Sequence, residues 1–322
     1  MDKKLLSLII FIAGLIVAVP AFASSAGCEA GIKLQDYEPN TVAIRKDDND
    51  EANIDFTLSQ MVPLFHDGCA RSLSFKDGYV RPYFAFTGQF GFYALGNRSS
   101  KPVIGKRFNP KLFLRHWIGK DGQGGYIDIG YAHESNGQSI NTEQAYLQKR
   151  AEIVAQGERI EFANDYLSRG WDYLDFILKL EKKDDPKEEK KKPNFYTSAA
   201  YLKLKYFFEY GLFQGEPEEA YVWETNDPKS RSEFDGISIM LKSSTFTPFR
   251  DYGLKIALIY ITGYKHIFQN STVRFETTAK IDEWLPIQFW FSRGFNSDLT
   301  DYYKQVTSVG LGFELRNFIS DL

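Results

Sequence analysis

Gly125 to Asn136 reads GYIDIGYAHESN. In an extended chain successive side chains point to opposite faces. Ile127, Ile129, Tyr131, His133 and Ser135 therefore share one face, and Asp128, Gly130, Ala132, Glu134 and Asn136 the other. His133 and Ser135 stand together at the end of a row that begins apolar. A serine hydroxyl is a weak nucleophile until a base takes its proton, and an imidazole two residues away on the same face can do that. In Gly170 to Glu181 (GWDYLDFILKLE), Asp172 heads a row shared with Leu174, Phe176, Leu178 and Leu180. An acid on such a row is costly against lipid and needs a partner, and His133 on a neighbouring strand is one. The order acid, imidazole, hydroxyl activates a serine, with the acid fixing the ring tautomer and stabilising the imidazolium. His-x-Ser alone arises often by chance; the shared face and the matching acid give it weight.

The elements that must carry these residues are strands. In Tyr201 to Tyr210, Leu202, Leu204, Tyr206 and Phe208 oppose Lys203, Lys205 and Glu209. Leu254, Ile256, Leu258 and Tyr260 lie opposite Lys255, and Val273, Phe275, Thr277 and Ala279 lie opposite Arg274, Glu276, Thr278 and Lys280. Alternation with period two marks strands with one apolar and one polar side. Segments of about ten residues with aromatics near their ends suit strands that cross an outer membrane at a tilt. Counting them from residue 80 to 315 gives roughly ten to twelve, and bacterial barrels close with an even number. The pattern predicts an all-β fold, a transmembrane antiparallel β-barrel of about twelve strands over residues 80–322, with the polar sides facing the lumen and the apolar sides facing lipid.

Composition agrees. The chain has 322 residues, 43% hydrophobic and 16% aromatic, with 39 Lys and Arg against 42 Asp and Glu, a formal net charge of -3. A nucleic-acid partner is not expected without a basic stripe. With 27 Phe and 19 Tyr but only 3 Met, and a mean hydropathy of -0.35, this is not the composition of a helical membrane protein. Residues 1–23 have two lysines, an apolar run and the A-x-A-like Ala21-Phe22-Ala23, which predicts a secretory signal peptide. Residues 24–79 read as an N-terminal segment, mobile in part and able to supply a first strand. Cys28 and Cys69 allow one intramolecular pairing, and their spacing does not decide whether it forms. The charge run Glu181 to Pro193 must lie outside hydrocarbon. His66, His116 and His266 read as ordinary strand or rim residues, Trp117, Trp171, Trp223, Trp284 and Trp290 as girdle or lumen packing, and Asp121 to Gly125 as a tight strand connection.

His133-Glu134-Ser135-Asn136-Gly137, followed by Ser168-Arg169-Gly170-Trp171-Asp172, resembles the outer membrane phospholipase A family, whose signature is His-x-Ser-Asn-Gly and then Ser-Arg-x-Trp-Asn. Asn109 to Leu114 and Gly294 to Gly312 extend the resemblance from about residue 80 onward. It implies a calcium-dependent phospholipase A1/A2, a carboxylic ester hydrolase of the Gram-negative outer membrane. Such an enzyme cleaves acyl esters of phospholipids and lysophospholipids on the outside of its barrel and is active as a homodimer. By motif position Ser135 is the nucleophile, His133 the base and Asp172 the third member. The Gly137 amide and a calcium-bound water are the oxyanion donors. The resemblance also implies that calcium (Ca2+) is held by carbonyls at Gln138 and Ser168 and by a partner's serine matching Ser99 or Ser100. Asp172 departs from the family's usual Asn, the stretch between Ile140 and Leu167 is longer than the family pattern, and the chain ends on Leu322 where an aromatic is common. Two other readings remain: a non-catalytic channel or structural barrel, and a lipid A deacylase, which also uses His-x-Ser with an acid.

Overall fold

A computed structural model describes residues 34–48, 52–64, 73–75, 78–95, 103–119, 124–183, 195–247, 252–281 and 285–315. The expected signal peptide, Cys28, Cys69, His66, Trp284, Ser99, Ser100 and most of the 181–193 charge run lie outside these residues. Twelve strands form the barrel: β1 Thr41–Asp47, β2 Ala52–Pro63, β3 Gly78–Leu95, β4 Ile104–Ile118, β5 Gly125–Ser135, β6 Gly170–Lys183, β7 Phe195–Phe207, β8 Gly236–Thr247, β9 Tyr252–Gly263, β10 Thr272–Lys280, β11 Ile287–Gly294 and β12 Val306–Glu314. Each pairs antiparallel with the next, and β12 closes on β1 with Ser308 opposite Asp47 and Glu314 opposite Thr41. Closure leaves no unpaired edge, the condition a sheet must meet in hydrocarbon.

The expected fold class holds, but the barrel starts upstream of residue 80. Both β1 and β2 lie within the segment read as N-terminal and partly mobile, so it supplies two strands rather than one. In β1 the alternation is broken, with Lys46 on the outward row beside Ile44 and Ala43 on the lumenal row, whereas in β2 Ile54, Phe56 and Leu58 alternate with Asn53, Asp55 and Thr57 as in the other strands. Arg45 is 5% exposed and is held by Asp55 at 3.4 Å and Asp298 at 3.1 Å. Before β1 the chain bulges inward over Tyr37 to Asn40, then pairs again with β2 through Gln35 and Asp36. Two strand ends also differ: β7 stops at Phe207 rather than Tyr210, and β6 runs on to Lys183, with Glu181 held by Lys179 at 2.9 Å.

The outer surface is an apolar belt. Ile44, Leu58, Ile129, Leu180, Leu241, Leu258 and Leu311 are each at least 48% exposed, a pattern that fits lipid and not water. Inside, charges are paired: Arg115 donates to both Asp128 oxygens at 2.8 Å, and Lys111 is bonded to Asp175. Beside them Phe113 stacks on Tyr83 and meets Tyr37 at a tilt, with ring centroids 5.4 and 5.5 Å apart. A lumenal cavity of about 970 Å³ remains, lined by residues that include Lys242, Arg274 and Glu276. Among the described residues no helix is long and apolar enough to cross a membrane.

The two longest connections, after β5 and after β7, leave the same end of the barrel, which makes that end the outer one. Helix α1 (Glu143–Ala155) and a 3-10 turn (Ile160–Tyr166) fill the β5–β6 connection. The β7–β8 connection carries the short helix α2 (Val222–Thr225).

Candidate active site

Of the three residues singled out in the sequence, His133 and Asp172 meet at the outer end of β5 and β6, and Ser135 lies two residues beyond His133 on the same row. In the ladder His133 is directly opposite Asp172, and Ser135 is opposite Gly170. His133 Nδ1 lies 2.8 Å from Asp172 Oδ1. The His133 side chain is 17% exposed and that of Asp172 1%. The rows fall as expected: Ile129 and Leu180 face outward, while Asp128, Ala132 and Glu134 are buried on the lumenal side.

One feature of this face is absent from the sequence reading. Tyr131 belongs to the lipid row, yet it is only 8% exposed, because residues 208–215 fold back over it. This strap, FEYGLFQG, starts where Phe208 N–H donates to the Asp172 carbonyl at 2.9 Å. Leu212 N–H then donates to the Tyr131 hydroxyl at 2.7 Å, and Phe213 and Gln214 N–H donate to Asp172 Oδ2 at 2.9 and 3.2 Å. The Gly211 N–H donates to the Gln214 carbonyl at 2.9 Å, which tightens the turn. A buried carboxylate on the lipid side is therefore fully engaged, one oxygen by imidazole and the other by two amides, as its desolvation requires. Gly211 must be glycine, since a Cβ there would lie 1.7 Å from Asp172 Oδ2. Phe213 is 73% exposed, and its ring centroid is 5.9 Å from that of His133. The only sequence signal for the strap was an apolar pair between glycines just after a strand.

Beyond Ser135 the chain turns through Gly137, whose φ of 63° suits glycine. Asn136, 2% exposed, clasps the other end of the connection: its Nδ2 donates to the Leu167 carbonyl at 2.7 Å, and its Oδ1 accepts from Arg169 N–H at 2.9 Å. Ile140 bridges to Leu167, and Ser168 N–H donates to the Ile140 carbonyl at 2.7 Å. The additional residues of this connection thus leave and re-enter at one point, so α1 is accommodated without separating the motifs that flank it.

The segments bearing Gln138 and Ser168 are brought side by side by this clasp. Their donor set is neutral and all oxygen, which suits a hard cation such as calcium. Arg169 Nη1 donates to the Ser168 carbonyl at 3.0 Å and takes one of its two lone pairs, so a cation there would share that carbonyl with a guanidinium and need further oxygens to complete its shell. Among the described residues no group of three or more His, Cys, Asp or Glu side chains is placed to hold a metal.

Behind the site, on the lumenal side, Glu134 lies 3.1 Å from Arg231, 3.5 Å from Lys205 and 3.7 Å from Arg107, which ties β5 to the β7–β8 connection. Trp171, Phe234, Leu299 and Tyr302 form an apolar cluster under the outer loops. Beside it Glu219 accepts from Arg231 N–H at 2.7 Å and from the Tyr302 hydroxyl at 3.0 Å, and burial pushes its carboxyl above the usual carboxylate range. Trp171 is thus lumen-end packing, and His266 is a rim residue 4.0 Å from Glu233.

No family model and no curated protein matches the chain. Solved structures do. Outer membrane phospholipase A from Escherichia coli aligns at a TM-score of 0.55 and 15% identity, covering 88% of this chain and 94% of that one. An active-site mutant of the same protein gives 0.53 and 15%, covering 91% and 95%. The Salmonella typhi outer membrane phospholipase, a dimer with bound calcium, gives 0.53 and 14%, covering 93% and 97%. The chain is thus built on the fold of outer membrane phospholipase A, a closed twelve-stranded barrel of the Gram-negative outer-membrane type.

Proposed function

We propose that the protein hydrolyses acyl ester bonds of phospholipids and lysophospholipids at the outer membrane, with Ser135 as nucleophile, His133 as base and Asp172 as the acid that holds the imidazole. The observation that carries this reading is the 2.8 Å contact between His133 Nδ1 and Asp172 Oδ1, with Ser135 two residues further along the same lipid-side row. With Nδ1–H committed to Asp172, Nε2 is the nitrogen left to accept the serine proton. Ser135 Oγ then attacks the ester carbonyl, and His133 returns that proton to the departing lysolipid oxygen. Water, deprotonated in turn by His133, releases the fatty acid and restores the serine. The Gly137 amide is the proposed donor to the oxyanion.

When bound, calcium would be held by the Gln138 and Ser168 carbonyls with Ser99 or Ser100 of a second subunit, and would supply positive charge beside the oxyanion. A homodimer follows from that ligand set, and shared ligands make activity depend on subunits meeting in the membrane. The channel alternative rests on the lumenal cavity, and predicts conductance without ester cleavage.

The test is fatty-acid release from phospholipid in mixed micelles, with calcium or with a chelator. Wild type is expected to be active with calcium, and Ser135→Ala to fall by about a thousandfold or more while keeping its β-sheet spectrum. Equal release by the two proteins would overturn the reading, and equal release with chelator would remove the calcium.

A further inference from the structure

Ser135 faces Gly170 across the β5–β6 ladder. Opposed residues place their Cβ atoms about 4.5–5.5 Å apart, so whatever fills the space above Gly170 is a near neighbour of the serine. Gln214 fills it. A Cβ built on Gly170 would lie 2.2 Å from Gln214 Oε1 and 3.2 Å from Nε2. The glutamine is pinned by its backbone, whose N–H donates to Asp172 Oδ2 at 3.2 Å and whose carbonyl accepts from Gly211. Among the described residues no hydrogen bond engages its side-chain amide. Its carboxamide is thus left to bond whatever enters the space beside the serine.

Acyl transfer places negative charge on the ester carbonyl oxygen, and preorganised donors aimed at that position are the largest single contribution to many such reactions. Gly137 lies on the chain beyond Ser135, and Gln214 lies across the ladder from it. Both are thus neighbours of the serine whose attack creates that charge. We propose that Gln214 is a catalytic residue whose Nε2–H donates to the oxyanion, opposite the Gly137 amide. This rests on the ester-hydrolase reading above. It also gives the strap a second task, since the segment that holds the acid delivers the donor, and it accounts for Gly170: any side chain there would displace the carboxamide.

Substitution at this position leaves the backbone amide on Asp172 in place, so the side chain can be tested alone. Gln214→Ala is expected to lower kcat by roughly ten- to a hundredfold with KM little changed, the signature of an interaction made only in the transition state. Gln214→Glu puts a carboxylate where a donor is needed. At neutral pH it should be at least as impaired as Gln214→Ala. Its activity relative to wild type at the same pH should recover on acidification, as the carboxyl gains a proton and can donate again. β-sheet spectra of both variants serve as the folding control. A Gln214→Ala protein with wild-type kcat, a change confined to KM, or a Gln214→Glu ratio flat with pH would each overturn the assignment while leaving Ser135 in its role. Undiminished activity in Ser135→Ala, or an inactive wild type, would instead remove the parent reading and the proposal with it.

Discussion

At the scale of single residues, the choice of Asp at 172 follows from what surrounds it. Each of its oxygens must accept: Oδ1 from His133, and Oδ2 from the Phe213 and Gln214 amides. Asparagine offers one acceptor oxygen and one NH2 group. Whichever way it turned, a donor would face a donor, either at the imidazole or at the strap. Asp172→Asn is therefore expected to keep the His133 contact and loosen the strap, at about 1–3 kcal/mol for the amides left unpaired. Proteolytic cleavage within 208–215 should rise, and kcat should fall about tenfold or more; unchanged cleavage would show that the strap does not depend on the carboxylate. The trio itself was legible in the sequence because strand alternation has period two, so a histidine, a serine and an acid could be put on rows before their strands were known to be neighbours.

At the scale of elements, the strap and the β5–β6 connection are what the sequence did not disclose. Alternation reports which way a side chain points, not which loop returns to cover it. The strap acts through tertiary contacts that only the closed barrel creates, and its glycines read as ordinary turn residues. Gly211→Ala tests it directly, because the added methyl would overlap Asp172 Oδ2 and must push the strap or the acid aside. Its kcat is expected to drop about tenfold or more. In an Asp172→Asn background it should do little further, since residues acting through one contact are not additive. Full additivity of the two changes would mean that Gly211 matters for some other reason. The helical connection shows the converse: its length set it apart from the family pattern, yet Asn136 and the Ile140–Leu167 bridge return the chain so that Ser168 and Arg169 lie beside the residues that follow Ser135.

At the scale of the whole molecule, the barrel brings two solvents to one site. Its outward face is apolar, its inward face is a web of paired charges, and the Ser135 row lies on the outward side within reach of lipid. Of the first two strands, β1 is seven residues long with Lys46 on its outward row, which blurs the alternation, while β2 alternates Ile54, Phe56 and Leu58 with Asn53, Asp55 and Thr57 and was legible as a strand. A serine on a barrel's lipid face is a reagent only if it takes an acyl group from a lipid, and that step can be seen without following turnover. The protein is mixed with phospholipid labelled in its acyl chain, quenched in acid and digested, and the label is located by peptide mass spectrometry. The acyl group should be found as an ester on the peptide containing Ser135, in wild type and not in Ser135→Ala. Label on a different residue, or release of fatty acid with no adduct on Ser135 under conditions that trap it, would contradict the assignment of Ser135 as the nucleophile.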